Sequence, residues 1–254
     1  MQRAFLGLAS LIAVGAGAAT SAQAGDVGVS TTLGFESRYM FRGIQFAQSS
    51  FQPAVTVSLD GFYVSAWANL PVGDEDLTSF GGEEIDVIGG YSGSFNDFIS
   101  YDIGVTYYTF PNLDDGFFDT YDEDAGTGAN TLEPYIGLSF TAPLSPKIYF
   151  YRDFMFDTFT VQGSLSQSFP LSGGFSLDLS GSVGYVIDDD DGADYLYGQA
   201  SANVSYAIGE SSSIYAGARF GGSDIAGGSV IDDASLGTTQ SNGFWFGFGL
   251  STSF

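Results

Sequence analysis

Apolar and polar residues alternate along most of the chain with a period of two, which is typical of β-strands with two different faces. In the final segment, residues 242–254, one parity carries Phe244, Phe246 and Phe248, whereas the other carries mostly glycine and serine. A strand with one large apolar face and one small polar face fits a membrane β-barrel, because such strands contact lipid outside and a polar lumen inside.

The same alternation predicts about 12 strands, an even number like that of single-chain bacterial barrels. The connections after strands 2, 4, 6, 8 and 10 are short, and those after strands 3, 5, 9 and 11 are longer and acidic, as periplasmic turns and outer loops would be. The predicted strands are residues 27–41, 51–59, 62–70, 84–92, 99–110, 132–140, 147–152, 158–169, 175–186, 195–207, 214–220 and 242–254.

The amino-terminal segment, residues 1–24, has the pattern of a secretory signal peptide. Arg3 precedes an apolar run from Ala4 to about Ala19, and the segment ends in Ala22-Gln23-Ala24, which is an A-x-A cleavage site. A membrane anchor is the alternative, but the run is short and lacks a basic stop-transfer flank. We therefore predict that residues 25–254 form one domain, an all-β transmembrane antiparallel up-and-down β-barrel in the bacterial outer membrane.

The composition narrows the function classes. Without Arg3 the chain keeps 5 basic against 30 acidic residues, a formal charge of −25, which excludes nucleic acid as a partner. The sequence has no His and no Cys, so Ser-His and Cys-His nucleophiles cannot form, and we predict no enzyme. Charged residues make up only 14% of the chain, which disfavours the alternative of a soluble barrel or sandwich.

The region from Ser37 to Pro111 resembles the TorF family, porin-like proteobacterial outer-membrane proteins of largely unknown function. The resemblance implies a barrel and suggests a porin, but it identifies neither a solute nor catalytic residues. It covers less than half of the chain. The matching motifs are S-R-Y-M-F-R-G at 37–43, Q-P at 52–53, G-F-Y-V-S-A-W-A-N at 61–69, E-I-D at 84–86, G-G-Y at 89–91 and Y-D-I-G-V-T-Y-Y at 101–108.

The charged residues on the polar parity are candidates for lining the lumen. Arg38, Arg42 and Arg219 fall on neighbouring strands of a closed barrel, and strands 4 to 6 carry only acidic candidates. One hypothesis is a basic wall facing an acidic wall, which would orient dipolar solutes. The alternative is local pairing in a narrow, filled lumen. The full set is Glu36, Arg38, Arg42, Glu84, Asp86, Asp102, Glu133, Lys147, Asp178 and Arg219.

Five aromatic residues also fall on the polar parity. They would form a path for sugars or aromatic solutes, or they would fill the lumen, and we favour filling. These residues are Tyr63, Trp67, Tyr108, Tyr135 and Trp245.

The acidic run that begins at Asp188 resembles the start of a calcium loop through Asp188, Asp190 and Asp194. It lacks the glutamate at position 12 and a following helix, so a solvated charge run is the better interpretation. We therefore predict no metal and no cofactor.

These observations predict a porin-like channel for passive diffusion of small hydrophilic solutes. Its partners would be the bilayer, small solutes, and the barrel-assembly machinery, which would read the terminal Phe254. The alternative is a plugged structural or surface barrel whose acidic outer loops bind cations or partners.

Overall fold

The computed structural model describes residues 27–73, 83–111, 116–120, 130–154, 157–189, 194–224 and 242–254. The predicted signal peptide, residues 1–24, lies outside these residues. Within them, no helix is both long and apolar enough to cross a bilayer. The strands are β1 (Gly28–Glu36), β2 (Tyr39–Phe41), β3 (Ile44–Ala47), β4 (Ser50–Leu59), β5 (Phe62–Pro71), β6 (Glu84–Ser94), β7 (Ile99–Thr109), β8 (Thr131–Phe140), β9 (Lys147–Asp153), β10 (Thr158–Pro170), β11 (Phe175–Asp188), β12 (Tyr195–Ala207), β13 (Ser212–Ser223) and β14 (Asn242–Ser253).

Twelve of these strands, all except β2 and β3, form a closed barrel in the described part of the chain. Each strand pairs antiparallel with its neighbours, and β1 pairs with both β4 and β14. Closure extends to the terminal residue, because Phe254 and Val29 exchange two backbone hydrogen bonds of 2.8 and 3.1 Å. The predicted all-β up-and-down barrel of 12 strands is therefore confirmed.

The connections of the barrel alternate as predicted. At one end, the short-turn end, neighbouring strands are joined by turns such as Asp60-Gly61, whose φ angles of 51° and 88° match a two-residue hairpin turn. At the other end, the long-loop end, the connections after β5, β7 and β13 are long. Acidic residues at this end, including Asp74 after β5, Asp124 after β7 and Asp190 after β11, lie outside the described residues.

The two faces of the barrel wall also follow the alternation. Phe62 and Phe244 point outward and are 64% and 73% exposed, whereas Tyr63 and Trp245 point inward and are 5% and 6% exposed. An apolar surface that encircles the barrel is not typical of a soluble protein, because soluble monomers expose only small apolar patches. The outward face therefore fits a lipid environment.

The first predicted strand, residues 27–41, is wrong in its second half. β1 ends at Glu36, and the chain then turns into a small hairpin, β2–β3, that is not part of the barrel wall. We call residues 37–49 the lumen hairpin, because its side chains contact inward residues of β6, β7 and β8. Tyr39 shares the apolar parity of the predicted strand, which predicts a lipid-facing side chain, but it is 0% exposed inside the barrel.

The lipid-facing assignment predicts a strong position effect for a charge on β11. Val183, which is 53% exposed on the outer face, should not tolerate arginine, because a charge in the apolar band costs about 2–4 kcal/mol near the bilayer midplane. Ser182 is the matched control, since it is the preceding residue and faces inward. We expect Val183→Arg to lower the unfolding free energy in lipid vesicles far more than Ser182→Arg. Equal losses would contradict the assignment.

Candidate functional site in the barrel lumen

The lumen hairpin is held inside the barrel by polar contacts from its own side chains. Arg42 forms a 2.7 Å ion pair with Glu133 of β8, and both side chains are largely buried. The hydroxyl of Tyr39 donates a 2.8 Å hydrogen bond to Glu84 of β6. Ser223 of β13 donates to the backbone carbonyl of Gly43 at 3.2 Å. The hairpin is thereby connected to opposite sides of the barrel.

The turn of the lumen hairpin consists of Arg42 and Gly43, which have φ angles of 46° and 78°. A β-carbon at position 43 would lie 2.6 Å from the backbone oxygen of Gly222, so only glycine allows this close approach. Arg42 tolerates the left-handed conformation at a cost, since it is not glycine. The turn is therefore seated directly against β13.

Aromatic packing completes the attachment of the hairpin. Phe41 packs edge-on against Tyr108 of β7, with ring centroids 6.1 Å apart. Tyr39 packs against Trp67 of β5, with ring centroids 5.5 Å apart. The guanidinium of Arg42 lies over two rings, 4.8 Å from the centroid of Phe41 and 5.0 Å from that of Tyr151. Each cation–π contact is worth about 0.5–2 kcal/mol, depending on desolvation.

A second network lies deeper in the lumen, on β5 to β9. Tyr63 and Tyr149 donate hydrogen bonds of 2.7 and 3.0 Å to the two carboxylate oxygens of Asp102. The hydroxyls of Tyr63 and Tyr135 also hydrogen-bond to each other. Because Asp102 is nearly buried, these hydroxyls replace the water that its oxygens would otherwise bind.

The inward tyrosines lie flat on glycines of the adjacent strand. Tyr135 covers Gly104 of β7, and Tyr149 covers Gly137 of β8, so closely that a β-carbon at either glycine would overlap the ring. A larger residue at either glycine would push the ring away from the wall. Glycine therefore permits the flat packing that brings the tyrosine hydroxyls to Asp102.

A third network joins the strands at the barrel closure. Arg219 of β13 donates 2.6 and 3.0 Å hydrogen bonds to Asn203 of β12 and Glu36 of β1. The Arg219 and Glu36 side chains are 1% and 4% exposed, so this ion pair is removed from water. The charge of Arg219 is therefore neutralised by Glu36 within the wall.

A set of small polar side chains, which we call the hydroxyl wall, lines the short-turn half of the lumen on β1, β4, β10, β11 and β14. Its side chains are only partly buried, in contrast to the filled long-loop half, where Asn69 and Glu133 are 0% exposed. The hydroxyl wall comprises Thr32, Thr56, Ser166, Ser180 and Ser251.

Comparison with known proteins places this barrel in a family. A family model described as a bacterial protein of unknown function (Gcw_chp) matches residues 19–208. The chain belongs to the Gcw_chp family. No protein with a curated description matches this Gcw_chp sequence.

Two solved structures share the Gcw_chp barrel fold at low sequence identity. A NanC porin structure has a TM-score of 0.52 and 11% identity, covering 88% of this chain and 98% of that chain. A KdgM porin has a TM-score of 0.52 and 12% identity, covering 89% of this chain and 99% of that chain. At this identity the likeness shows the barrel fold alone.

The structure places most of the predicted lumen charges of this Gcw_chp barrel inside it. Asp178 accepts hydrogen bonds from Ser168, Ser176 and Ser205 at the short-turn end. Lys147 is half-buried at the start of β9. The buried acidic members of the predicted set are Glu36, Glu84, Asp86, Asp102, Glu133 and Asp178.

The hypothesis of a separate basic wall is wrong in its placement of arginines. It put Arg38 and Arg42 on strand 1, but Arg38 lies in the bend after β1, and Arg42 lies at the turn of the lumen hairpin. The guanidinium of Arg42 therefore lies against Glu133 on the supposed acidic wall. Arg219 pairs with Glu36, its neighbour across β14. The geometry corresponds to the alternative of local pairing.

The five predicted lumen aromatics face inward, but the sequence analysis missed others. Tyr149 and Tyr151 follow Lys147 at the parity already assigned to the lumen, and that parity was the available signal. Phe150 between them is also aromatic, so the two faces of this strand differ little in residue type. The missed buried residues are Tyr39, Tyr149, Tyr151, Asp153, Tyr195, Tyr197 and Tyr215.

The structure gives little support for a calcium site at Asp188, Asp190 and Asp194. The backbone amide of Asp188 and the hydroxyl of Tyr185 donate hydrogen bonds of 3.0 and 3.2 Å to the Asp194 carboxylate. Asp190 lies outside the described residues. In the part of the chain that the structure describes, no cluster of three or more acidic side chains is arranged to hold a metal ion.

Proposed function

We propose that this protein is an outer-membrane channel through which small hydrophilic solutes diffuse passively. The observation that carries the proposal is the closed barrel, apolar outside, with a partly exposed hydroxyl wall inside. In this proposal the short-turn end faces the periplasm and the long-loop end faces outward. The fold likeness to two porins supports it, as does the TorF resemblance, which we propose as the finer family description.

The lumen hairpin makes this channel narrow at its outer half. A solute from outside would meet the hairpin first and the hydroxyl wall afterwards. Because buried acidic side chains outnumber basic ones among the described lumen residues, we propose that the channel favours cations.

The competing proposal is a barrel with a plugged lumen, which acts through its acidic outer loops by binding cations or partners. The filled long-loop half of the lumen is the specific observation that favours it. Bilayer recordings of the refolded mature chain, residues 25–254, decide between the two proposals. We expect discrete conductance steps, and a reversal potential of cation sign in a salt gradient. A correctly folded barrel without steps would reject the channel.

We further propose that residues 1–24 are cleaved as a signal peptide, and that the barrel-assembly machinery recognises the terminal strand. Phe254 is 78% exposed on the outer surface, where it stabilises little by packing and remains accessible to a receptor.

Phe254→Gln should therefore lower the amount of barrel in the outer membrane severalfold, without affecting refolding of the purified chain. Phe244→Gln is the matched control, because Phe244 is 73% exposed on the same strand but lies at its other end. Membrane fractionation measures the first effect, and refolding into vesicles measures the second. Equal losses for both variants would contradict a specific terminal signal.

A further inference from the structure

The contact between Arg42 and the barrel wall has the composition of a receptor for an organic cation. Glu133 supplies a carboxylate oxygen at 2.7 Å, and Tyr151 supplies a ring face at 5.0 Å. Tyr108 donates a 2.9 Å hydrogen bond to the other oxygen of Glu133, which fixes that carboxylate in place. A buried carboxylate beside an aromatic face is the combination that binds guanidinium and ammonium groups.

Arg42 is not part of the barrel wall and contacts this receptor from within the lumen. It lies at the turn of the lumen hairpin, whereas Glu133, Tyr108 and Tyr151 belong to β8, β7 and β9. The receptor residues are held by the barrel ladder and do not depend on the hairpin for their backbone positions. Displacement of the hairpin would leave the receptor in place with its carboxylate unpaired.

The wall around this receptor also carries more acceptors than Arg42 uses. The hydroxyls of Thr106 and Tyr151 are buried without a hydrogen-bond partner, and the carboxyl group of Asp86 is 0% exposed and faces no basic side chain except Arg42 in the described lumen residues around it. Asp86 is the cross-strand neighbour of Tyr108, and Thr106 is that of Glu133. These groups would accept hydrogen bonds from a ligand with several N–H donors, and unsatisfied buried acceptors are costly.

We propose that this wall site, formed by Glu133, Tyr108, Tyr151 and Asp86, binds solutes that carry a guanidinium or primary ammonium group, and that Arg42 competes for it as a built-in ligand. The inference rests on the proposed channel, because the solute has to enter the lumen. A cationic solute that displaces Arg42 also weakens the attachment of the lumen hairpin, which couples binding to a wider passage.

Binding of Nα-acetyl-L-arginine amide to the refolded full barrel in detergent tests the site by calorimetry. Nα-acetyl-L-citrulline amide is the matched probe, since a neutral ureido group replaces the guanidinium and neither probe carries an ammonium group. We expect binding of the first and none of the second. Arg42→Gln removes the competitor and should tighten binding of the acetylated arginine amide at least about tenfold, because the site no longer has to be vacated. Adding Glu133→Gln to that variant should weaken binding by at least the same factor.

Gly43→Ala provides a second route if Arg42→Gln does not fold. It leaves every charge in place but pushes the hairpin turn away from Gly222, so it should also tighten binding. Equal affinity for the two amides, or no tightening in either folded variant, would overturn the inference. Bilayer conductance separates this result from the channel proposal. Conductance without selective binding rejects the site alone, whereas binding without conductance keeps the site and rejects the channel.

Discussion

Removal of the lumen hairpin should increase single-channel conductance at least about tenfold, because the hairpin side chains occupy the outer half of the lumen and pack against its walls. The barrel permits a clean deletion. Glu36 at the end of β1 and Ser50 at the start of β4 are direct cross-strand partners. An Asn-Gly turn can therefore replace residues 37–49 without changing the register of the wall.

The deletion also exposes the side chains that the hairpin covered. Glu84 and Glu133 lose Tyr39 and Arg42, but they gain water in a widened lumen. Their charge is then solvated, so the barrel should fold and become more cation-selective. Planar bilayer recordings give conductance and reversal potential together, and gel mobility with and without heating checks the fold.

A matched control shortens the opposite end of the barrel. Ala207 and Ser213 are cross-strand partners at the short-turn end, so Asn-Gly can replace residues 208–212. This variant carries the same kind of turn but leaves the lumen hairpin in place, and its conductance should equal that of the unaltered barrel. If both variants conduct equally, the hairpin is not the constriction.

The barrel itself could be predicted from the sequence because lipid imposes a simple rule on every wall strand. One face must be apolar, so the period of two survives even where the lumen face varies. The bounds of β12, Tyr195–Ala207, were predicted without error, and the closing strand differed by one residue. Strand number and loop alternation followed from the same rule.

The lumen hairpin could not be predicted in this way, because a filled lumen and a lipid bilayer both accept aromatic residues. Tyr39 and Phe41 continue the parity of β1 and therefore looked lipid-facing. The ion pair of Arg42 with Glu133 joins residues on separate elements far apart in sequence, so strand periodicity contains no information about it. The buried acidic residues lie on the predicted face, but the partners of Glu84 and Glu133 depend on where the hairpin folds.

Replacement of Arg219 should produce the largest loss of stability among single substitutions of charged residues. Its guanidinium joins Asn203 and Glu36 across the closure of the barrel, at 1% exposure. Arg219→Met leaves Glu36 as a buried charge without its cation, and breaking such a pair costs about 3–5 kcal/mol. Reversible urea unfolding in lipid vesicles measures the loss.

Arg152 is the matched control, because it also forms two ion pairs, with Asp157 and Asp189, but at the exposed rim of the barrel. Arg152→Met should change the unfolding free energy by less than about 1 kcal/mol, since exposed pairs contribute little. The double variant Glu36→Met and Arg219→Met should recover much of the loss, because both charges are then absent from the buried site. If the double variant is less stable than Arg219→Met alone, the unpaired Glu36 charge is not the cause of the loss.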